Sequence, residues 1–479
     1  MQHKATLRHL FMASTFLAFT SFAALGIGQQ TLPRPIGNPV IPTGGSGGSG
    51  GQTSKTKAAV MPATLVVPES SRADSSDLGR KAHTNIRFIN PGFANPMEAP
   101  PYSNYAYETP TSLACVYHLV ATVPAGCNPN SVTTVNTGGS QKIAIVDAFD
   151  DPEAAPDLAY FSAQFGLPFS VSKFQVVYTG GFQPEIDISG GWELEESLDI
   201  EYAHAMAPSA TIYLVEAQSN SFSDLFDAVT EATNIIQCNK FSTIPGICGS
   251  APTGKGEVSM SWGSAEFKSS VCGGGACETD FDPAFNQKNV VFFASTGDAP
   301  GPSYPAVSPN VVAVGGTSIS RTGAGGYLRE DAWSDGGGGW SVYEKIPSYQ
   351  SAIPAVATIA GTQRTTPDVS AVANPYTGVW VYDSMPSDFF FYSSSWWIVG
   401  GTSVAAPLWT GVVNKAGSFA ASSNAELTTI YNNLATASTY AANYHDVTYG
   451  DCYYYMGQRA AVGYDVCTGL GSPLGVAGK

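Results

Sequence analysis

The chain has 479 residues, 43% of them hydrophobic and 11% aromatic, enough for a sizeable core and against disorder along its whole length. Charged residues make up only 13%, while Gly (51) and Pro (32) are plentiful, a profile that suits a loop-rich extracellular protein better than a cytosolic one. The formal net charge of −16 repels phosphate backbones and argues against nucleic acid as a partner.

At the N-terminus, Lys4 and Arg8 precede an uncharged apolar run from Leu10 to Gly28 that ends in small residues such as Ala23, Ala24 and Gly26. Residues 1–28 therefore read as a secretory signal peptide. An uncleaved membrane anchor is the competing reading, because the run approaches spanning length; the Ser and Thr within it favour the cleaved signal. Its removal leaves a charge of −18 and a secreted chain with no membrane contact. Residues 29–84 have the composition of a Pro/Gly/Ser-rich linker, with the flexible run Thr43–Gln52 (TGGSGGSGGQ) inside it. Residues 85–479 have globular texture and carry no internal repeat.

Within that globular part, continuous apolar runs alternate with helical patterns. Lys142–Val146, Thr211–Val215, Glu257–Trp262, Val290–Ala294 and Val311–Val314 read as buried parallel strands, covered by helices on both faces. Ala154–Gln164, Trp192–Met206, Asp224–Ile235 (capped by Ser223) and Ser403–Ala416 read as helices. The alternation predicts an α/β, doubly wound domain with a mainly parallel central sheet and its site at the strand C-terminal ends.

The eight cysteines fall in four local couples: Cys115/Cys127, Cys238/Cys248, Cys272/Cys277 and Cys452/Cys467. An even count in an exported chain predicts disulfides, and the short loops make neighbour pairing the simplest connectivity. The competing reading is a zinc site, for which Cys272 and Cys277 lack a second nearby Cys or His pair.

Gly400-Gly401-Thr402-Ser403-Val404-Ala405-Ala406-Pro407 is the sharpest local signal. Its glycines bring backbone close to a ligand, and Ser403 opens a helix whose N-terminus favours developing negative charge. An ordinary helix capped by Ser403 is the bland alternative. A serine nucleophile needs a base, and no His-Gly-Thr-His segment is present. Trp192-Glu-Leu-Glu195-Glu-Ser-Leu-Asp199-Ile-Glu201 instead places Glu195 and Asp199 one helical turn apart on one face. Like charges at that spacing share a proton, which suits acid–base work at low pH; in isolation the same pattern is a solvated acidic face.

Together these motifs resemble the sedolisin (serine-carboxyl peptidase) family, over roughly residue 110 to the C-terminus and in the family order Glu, Asp, Asp, Ser. Ala294-Ser-Thr-Gly297-Asp298 matches the family's aspartate after a buried strand and glycine; Ser308–Thr317 and Thr366–Ser370 look like family segments. The resemblance implies a subtilisin-like fold and a serine-type endopeptidase, with tripeptidyl-peptidase action as the alternative, acting on proteins or peptides as a monomer. It casts Ser403 as nucleophile, Glu195 as base, Asp199 as its partner, Asp147 as an auxiliary acid and Asp298 as a protonated oxyanion donor. A carboxylate suits this exchange, because an imidazole is already charged in acid. Glu193, Glu196 and Glu201 fit the spacing less well and are expected on the surface.

The resemblance also implies one structural calcium ion, held by Asp446 and Asp465 with the carbonyls of Val447, Ala461 and Gly463, hard oxygen donors of the kind calcium takes. Ala461 stands where the family has Gly. Residues 29–84 cannot form the family's folded propeptide, so latency by an attached prodomain is not expected. A catalytically silent secreted binding protein on the same scaffold is the competing function, and the intact Glu195, Asp199, Asp298 and Ser403 weigh against it.

Overall fold

The computed structural model describes residues 64–90, 99–102, 106–239, 254–267, 278–385, 395–453 and 458–479. The expected signal peptide and residues 29–63 of the expected linker lie outside the described residues.

Eight strands form the central sheet: β1 (Lys142–Ala148), β2 (Phe174–Tyr178), β3 (Thr211–Ala217), β4 (Gly256–Met260), β5 (Val290–Ser295), β6 (Val312–Arg321), β7 (Tyr327–Ala332) and β8 (Val369–Val372). Their order is β7-β6-β5-β4-β1-β3-β2, with β8 also paired to β6. Every pairing is parallel except β6 with β7. The apolar runs explain why: side chains alternate between two buried faces, so each strand must be hydrophobic throughout. In β5, Val291 and Phe293 enter one core, while Val290, Phe292 and Ala294 enter the core on the opposite face.

Four helices cover the sheet: α1 (Ala154–Phe165), α2 (Gly191–Met206), α3 (Phe222–Gln237) and α4 (Thr402–Lys415). Leu198 and Tyr202 of α2 share a core with Leu408 and Val412 of α4, whereas Leu225 and Val229 of α3 pack with the other face of the sheet. The architecture is thus the expected α/β fold with a mainly parallel sheet flanked by helices. α3 is capped by Ser221, whose hydroxyl accepts from the Asp224 N–H at 3.2 Å, and not by Ser223. The expected strand Glu257–Trp262 is broken at Ser261, after which Trp262–Ala265 runs as a separate strand. Ser403 is not a helix cap but lies inside the first turn of α4, after Gly401.

The largest departure concerns α2. All of its residues are buried, including Glu193, Glu196 and Glu201, which were expected on the surface. A second departure concerns the stretch expected to be linker, where Thr64–Val66 and His83–Thr84 are strands. Thr64–Val66 is the edge strand of a four-stranded sheet, paired with Arg87–Asn90, which is followed by Trp396–Gly400 and Val379–Tyr382. His83–Thr84 pairs with Trp262–Gly263.

Of the expected disulfides, Cys115–Cys127 and Cys452–Cys467 are formed. Cys238 is also disulfide-bonded, while Cys248, Cys272 and Cys277 lie outside the described residues.

Candidate active site

Ser403 is placed by backbone constraints on both sides. Gly401 adopts φ +111°, a conformation open to glycine, and a Cβ there would overlap the Asn85 carbonyl and stand 2.7 Å from Asp298 Oδ2. Pro407 lies inside α4 and has no N–H for the carbonyl of Ser403, four residues earlier. The Ser261 hydroxyl donates to that carbonyl instead, at 3.4 Å, and the Ser403 hydroxyl donates to the Ser261 carbonyl at 3.0 Å. The break after β4 and the proline in α4 therefore tie the nucleophile to the end of β4.

Glu195 and Asp199 face this serine from α2, both fully buried. Neither carboxyl has a hydrogen-bond partner among the described residues, the Ser403 hydroxyl being turned to the Ser261 carbonyl, but the nearby Ser403 and Ser261 hydroxyls favour the charged forms of Glu195 and Asp199 respectively. Burial outweighs this. It pushes Glu195 well above the usual carboxylate range, with the charges of Asp199 and Asp147 adding, and it raises Asp199 likewise. Asp147, near the end of β1, is opposite Glu216 in the sheet register and is raised by burial, Asp199 and Glu216. Carboxyls this close ionise as a set, and the first proton lost leaves one negative charge shared among them.

Asp298 follows β5. Its Oδ1 accepts from the Thr402 N–H at 2.8 Å and the Thr402 hydroxyl at 3.0 Å, while its buried Oδ2 has no hydrogen-bond partner among the described residues. Burial pushes Asp298 up to about 7, against the Thr402 N–H and the positive charge of Arg87. It is therefore protonated in acid, with one oxygen free to donate.

The structure buries Ser403, Glu195, Asp199 and Asp147 together and sets the half-buried Asp298 beside them. His204, also on α2, lies against the Phe169 ring, and burial lowers it to about 4. Pro407, part of the motif but given no role of its own, and Ser261, read only as part of a strand, both act through the backbone of the nucleophile. Asn85 carried no signal at all: its carbonyl accepts from the Ser403 N–H at 3.2 Å.

At the C-terminus, Asp446 and Asp465 converge on the 461–463 loop. The Ala461 N–H donates to Asp465 at 2.9 Å and the Gly463 N–H to Asp446 at 3.1 Å. The Tyr440 hydroxyl stands 2.9 Å from Asp446 Oδ1 and 3.4 Å from the Gly463 carbonyl, so two of the expected oxygen donors surround one point. Val447 is buried beside them. Among the described residues no cluster of three or more His, Cys, Asp or Glu side chains is placed to hold a metal. A site here depends on two carboxylates completed by carbonyls, a donor set that fits a hard cation.

The family model described as "Subtilase family" matches residues 188–450, more than half of the chain. Sedolisin from Pseudomonas sp. (strain 101) is 27% identical over 381 residues, covering 74% of this chain and 61% of the relative. Kumamolisin from Bacillus sp. (strain MN-32) is 30% identical over 369 residues, covering 71% of this chain and 59% of the relative. The chain thus spans about three-fifths of the length of these relatives. The solved structure of Pseudomonas sedolisin, a serine-carboxyl proteinase complexed with two molecules of pseudo-iodotyrostatin, superposes with TM-score 0.57 at 24% identity, covering 77% of this chain and 95% of that one, a likeness of fold. With its serine, its carboxyl pair and this match, the chain belongs to the subtilase family, on its sedolisin-like side.

Proposed function

We propose that the chain is a serine-carboxyl endopeptidase that cuts proteins or peptides at acidic pH outside the cell. The observation that carries this reading is the Ser403 hydroxyl set beside the buried Glu195–Asp199 pair, where a histidine base would otherwise stand. Ser403 Oγ adds to the scissile carbonyl and Glu195 takes its proton. Asp199, with Asp147 behind it, shares the remaining charge and holds Glu195 in place. The carbonyl oxygen becomes an oxyanion between the Ser403 N–H at the start of α4 and the protonated Asp298. Glu195 then gives its proton to the leaving amine, and water releases the acyl group by the same path in reverse.

Two carboxyls in opposite states set the pH range. Activity rises as the Glu195 cluster loses its first proton and falls as Asp298 loses its own near about 7. The Cys115–Cys127 and Cys452–Cys467 bonds support an oxidising, extracellular setting. No described helix is long and apolar enough to cross a membrane. One calcium ion at Asp446 and Asp465, completed by the carbonyls of Val447, Ala461 and Gly463, would cross-link the C-terminal loop and act on stability alone.

A pH–rate profile on a denatured protein substrate tests the reading, with Ser403→Ala and Glu195→Ala in parallel. Activity should peak well below neutrality and vanish in both variants; a maximum near pH 8 would be incompatible with a carboxyl base.

A further inference from the structure

The apolar patterns that build the core are broken at two positions behind the catalytic carboxyls. On β1, Ile143 and Ile145 share a core with Ile200 and Ala203 of α2, and on β3 Ile212 and Leu214 do the same. Continuing that alternation, Asp147 and Glu216 face the α2 side from the ends of their strands. The two are register partners in the parallel sheet, so their side chains stand next to each other. On α2, Glu196 lies four residues before Ile200 and falls on the same sheet-facing stripe. Patterning asks for an apolar residue at 196 and at 216, and the chain has glutamate at both.

Glu196 and Glu216 are fully buried, and neither oxygen of either has a hydrogen-bond partner among the described residues; the same holds for Asp147. A carboxylate only accepts hydrogen bonds, so ionised neighbours would leave all of these oxygens bare in the core. A protonated carboxyl also donates, which turns the same neighbours into partners. Burial holds the proton on Glu216 up to about 10, with Asp150 and Asp151 adding. It raises Glu196 likewise, with Glu216, Asp151, Asp147 and Glu193 adding. Both are therefore neutral throughout the acid range. Tyr178, the register partner of Glu216 on β2, is also neutral there, raised by burial to about 12. Outward, the row ends at Asp150, whose Oδ2 accepts from the exposed Gln183 amide at 2.8 Å. Inward, Glu216 acts on Asp147, and Asp147 with Asp199 acts on Glu195.

This row answers a demand of the site. Burial pushes Glu195 far above the acid range, yet a base must be ionised there to take the Ser403 proton. We propose that Glu216 and Glu196 are positioning residues that stabilise the working charge of the catalytic carboxyls by donating toward it through Asp147, an inference that rests on the peptidase reading above. The Glu196 proton is directed at Glu216, that of Glu216 at Asp147, that of Asp147 at Asp199, and that of Asp199 at the ionised Glu195. Every link but the last is neutral, so one negative charge gains a row of donors with no second charge beside it. Each hydrogen bond in such a row polarises the next.

The rise of kcat with pH on the acid side reads that charge. Hydrolysis of a reporter peptide between pH 2 and 6 is compared for wild type, Glu216→Gln, Glu216→Leu and Glu196→Leu. Leucine continues the apolar stripe and removes the donor; glutamine keeps a donor and does not ionise. Glu216→Leu should move the acid limb up by about one pH unit and Glu196→Leu by less, with KM and the plateau kcat little changed. Glu216→Gln should leave the limb in place. A limb that stays put in a folded Glu216→Leu overturns the proposal and leaves the peptidase reading standing. So does a limb that moves down in Glu216→Gln, because Glu216 would then carry a repelling charge. Infrared spectra at pH 5 in a Ser403→Ala background decide independently of turnover. Glu216→Gln should remove a protonated-carboxyl band, and loss of a carboxylate band instead overturns the proposal. A wild type with no turnover at any pH overturns the peptidase reading, and this proposal with it.

Discussion

Glu193→Gln should make the protein less sensitive to rising pH. Glu193 is 1% exposed in the first turn of α2, and neither carboxyl oxygen has a hydrogen-bond partner among the described residues. Burial, with Asp187, Asp383 and Asp151 adding, pushes its pKa up to about 9. In the unfolded chain the same group titrates near about 4.3. The folded value is raised, so below about pH 4 both states hold the proton and its stabilising effect is complete. As pH climbs, the unfolded chain releases the proton while the folded chain keeps it, and stability falls by about 1.4 kcal/mol per pH unit. Between pH 5 and 7 this one group costs about 3 kcal/mol, a large share of the roughly 5–15 kcal/mol that holds a domain together. Glutamine keeps the shape and has no such proton. Whatever the offset at pH 5, Glu193→Gln should therefore gain about 3 kcal/mol on its parent by pH 7. Urea unfolding at pH 5, 6 and 7, in a Ser403→Ala background that prevents self-digestion, measures the difference. Parallel stability curves for parent and variant would refute the reasoning.

Two further outcomes follow from the site. Removing one oxyanion donor typically costs on the order of 10²–10³ in turnover, so Asp298→Ala should lose about that much. Asp298→Asn, which still donates and does not titrate, should keep more activity and hold it to higher pH, and wild-type rates in a folded Asp298→Ala would remove Asp298 from the mechanism. A chelator should lower the melting temperature, because an ion bound by the folded state alone stabilises it by mass action. Asp446→Asn should abolish that response, and an unchanged melting temperature with no calcium found by metal analysis would dismiss the site.

Much of the fold was legible because two-face burial leaves a local trace. The apolar runs at Lys142, Thr211 and Val290 all became sheet strands, extended by one or two residues at their ends. Helix boundaries were less legible where the chemistry repeats: Ser219, Ser221 and Ser223 alternate, and it is the Ser221 hydroxyl that meets the Asp224 N–H and caps α3. The acidic character of α2 pointed the wrong way. A helix with Glu193, Glu196 and Glu201 reads as solvated because ionised carboxylates avoid cores. Burial raises all three above the usual range, so in acid they are neutral and the rule does not apply. The order of residues 64–90 was invisible for a different reason. It is created by partners far away in sequence, Trp262 for Thr84 and Ser403 for Asn85, which composition does not encode.

The proposed chemistry asks one site to hold an ionised carboxyl and a neutral one a short distance apart, and the surroundings divide those tasks. Glu195 belongs to a set in which a single charge satisfies several groups, and the Ser403 and Ser261 hydroxyls favour that charge beside the nucleophile. Asp298 has no such set. Its Oδ1 is committed to Thr402, its Oδ2 has no hydrogen-bond partner among the described residues, and desolvation keeps its proton on up to about 7. Arg87 pulls that value down, and its guanidinium is seated on the Asp298 carbonyl. Arg87 thus also sets how far toward neutrality the donor keeps its proton. A histidine base would be cationic through most of that window, whereas one ionised carboxyl of the set and a neutral Asp298 would divide the roles of base and acid between them.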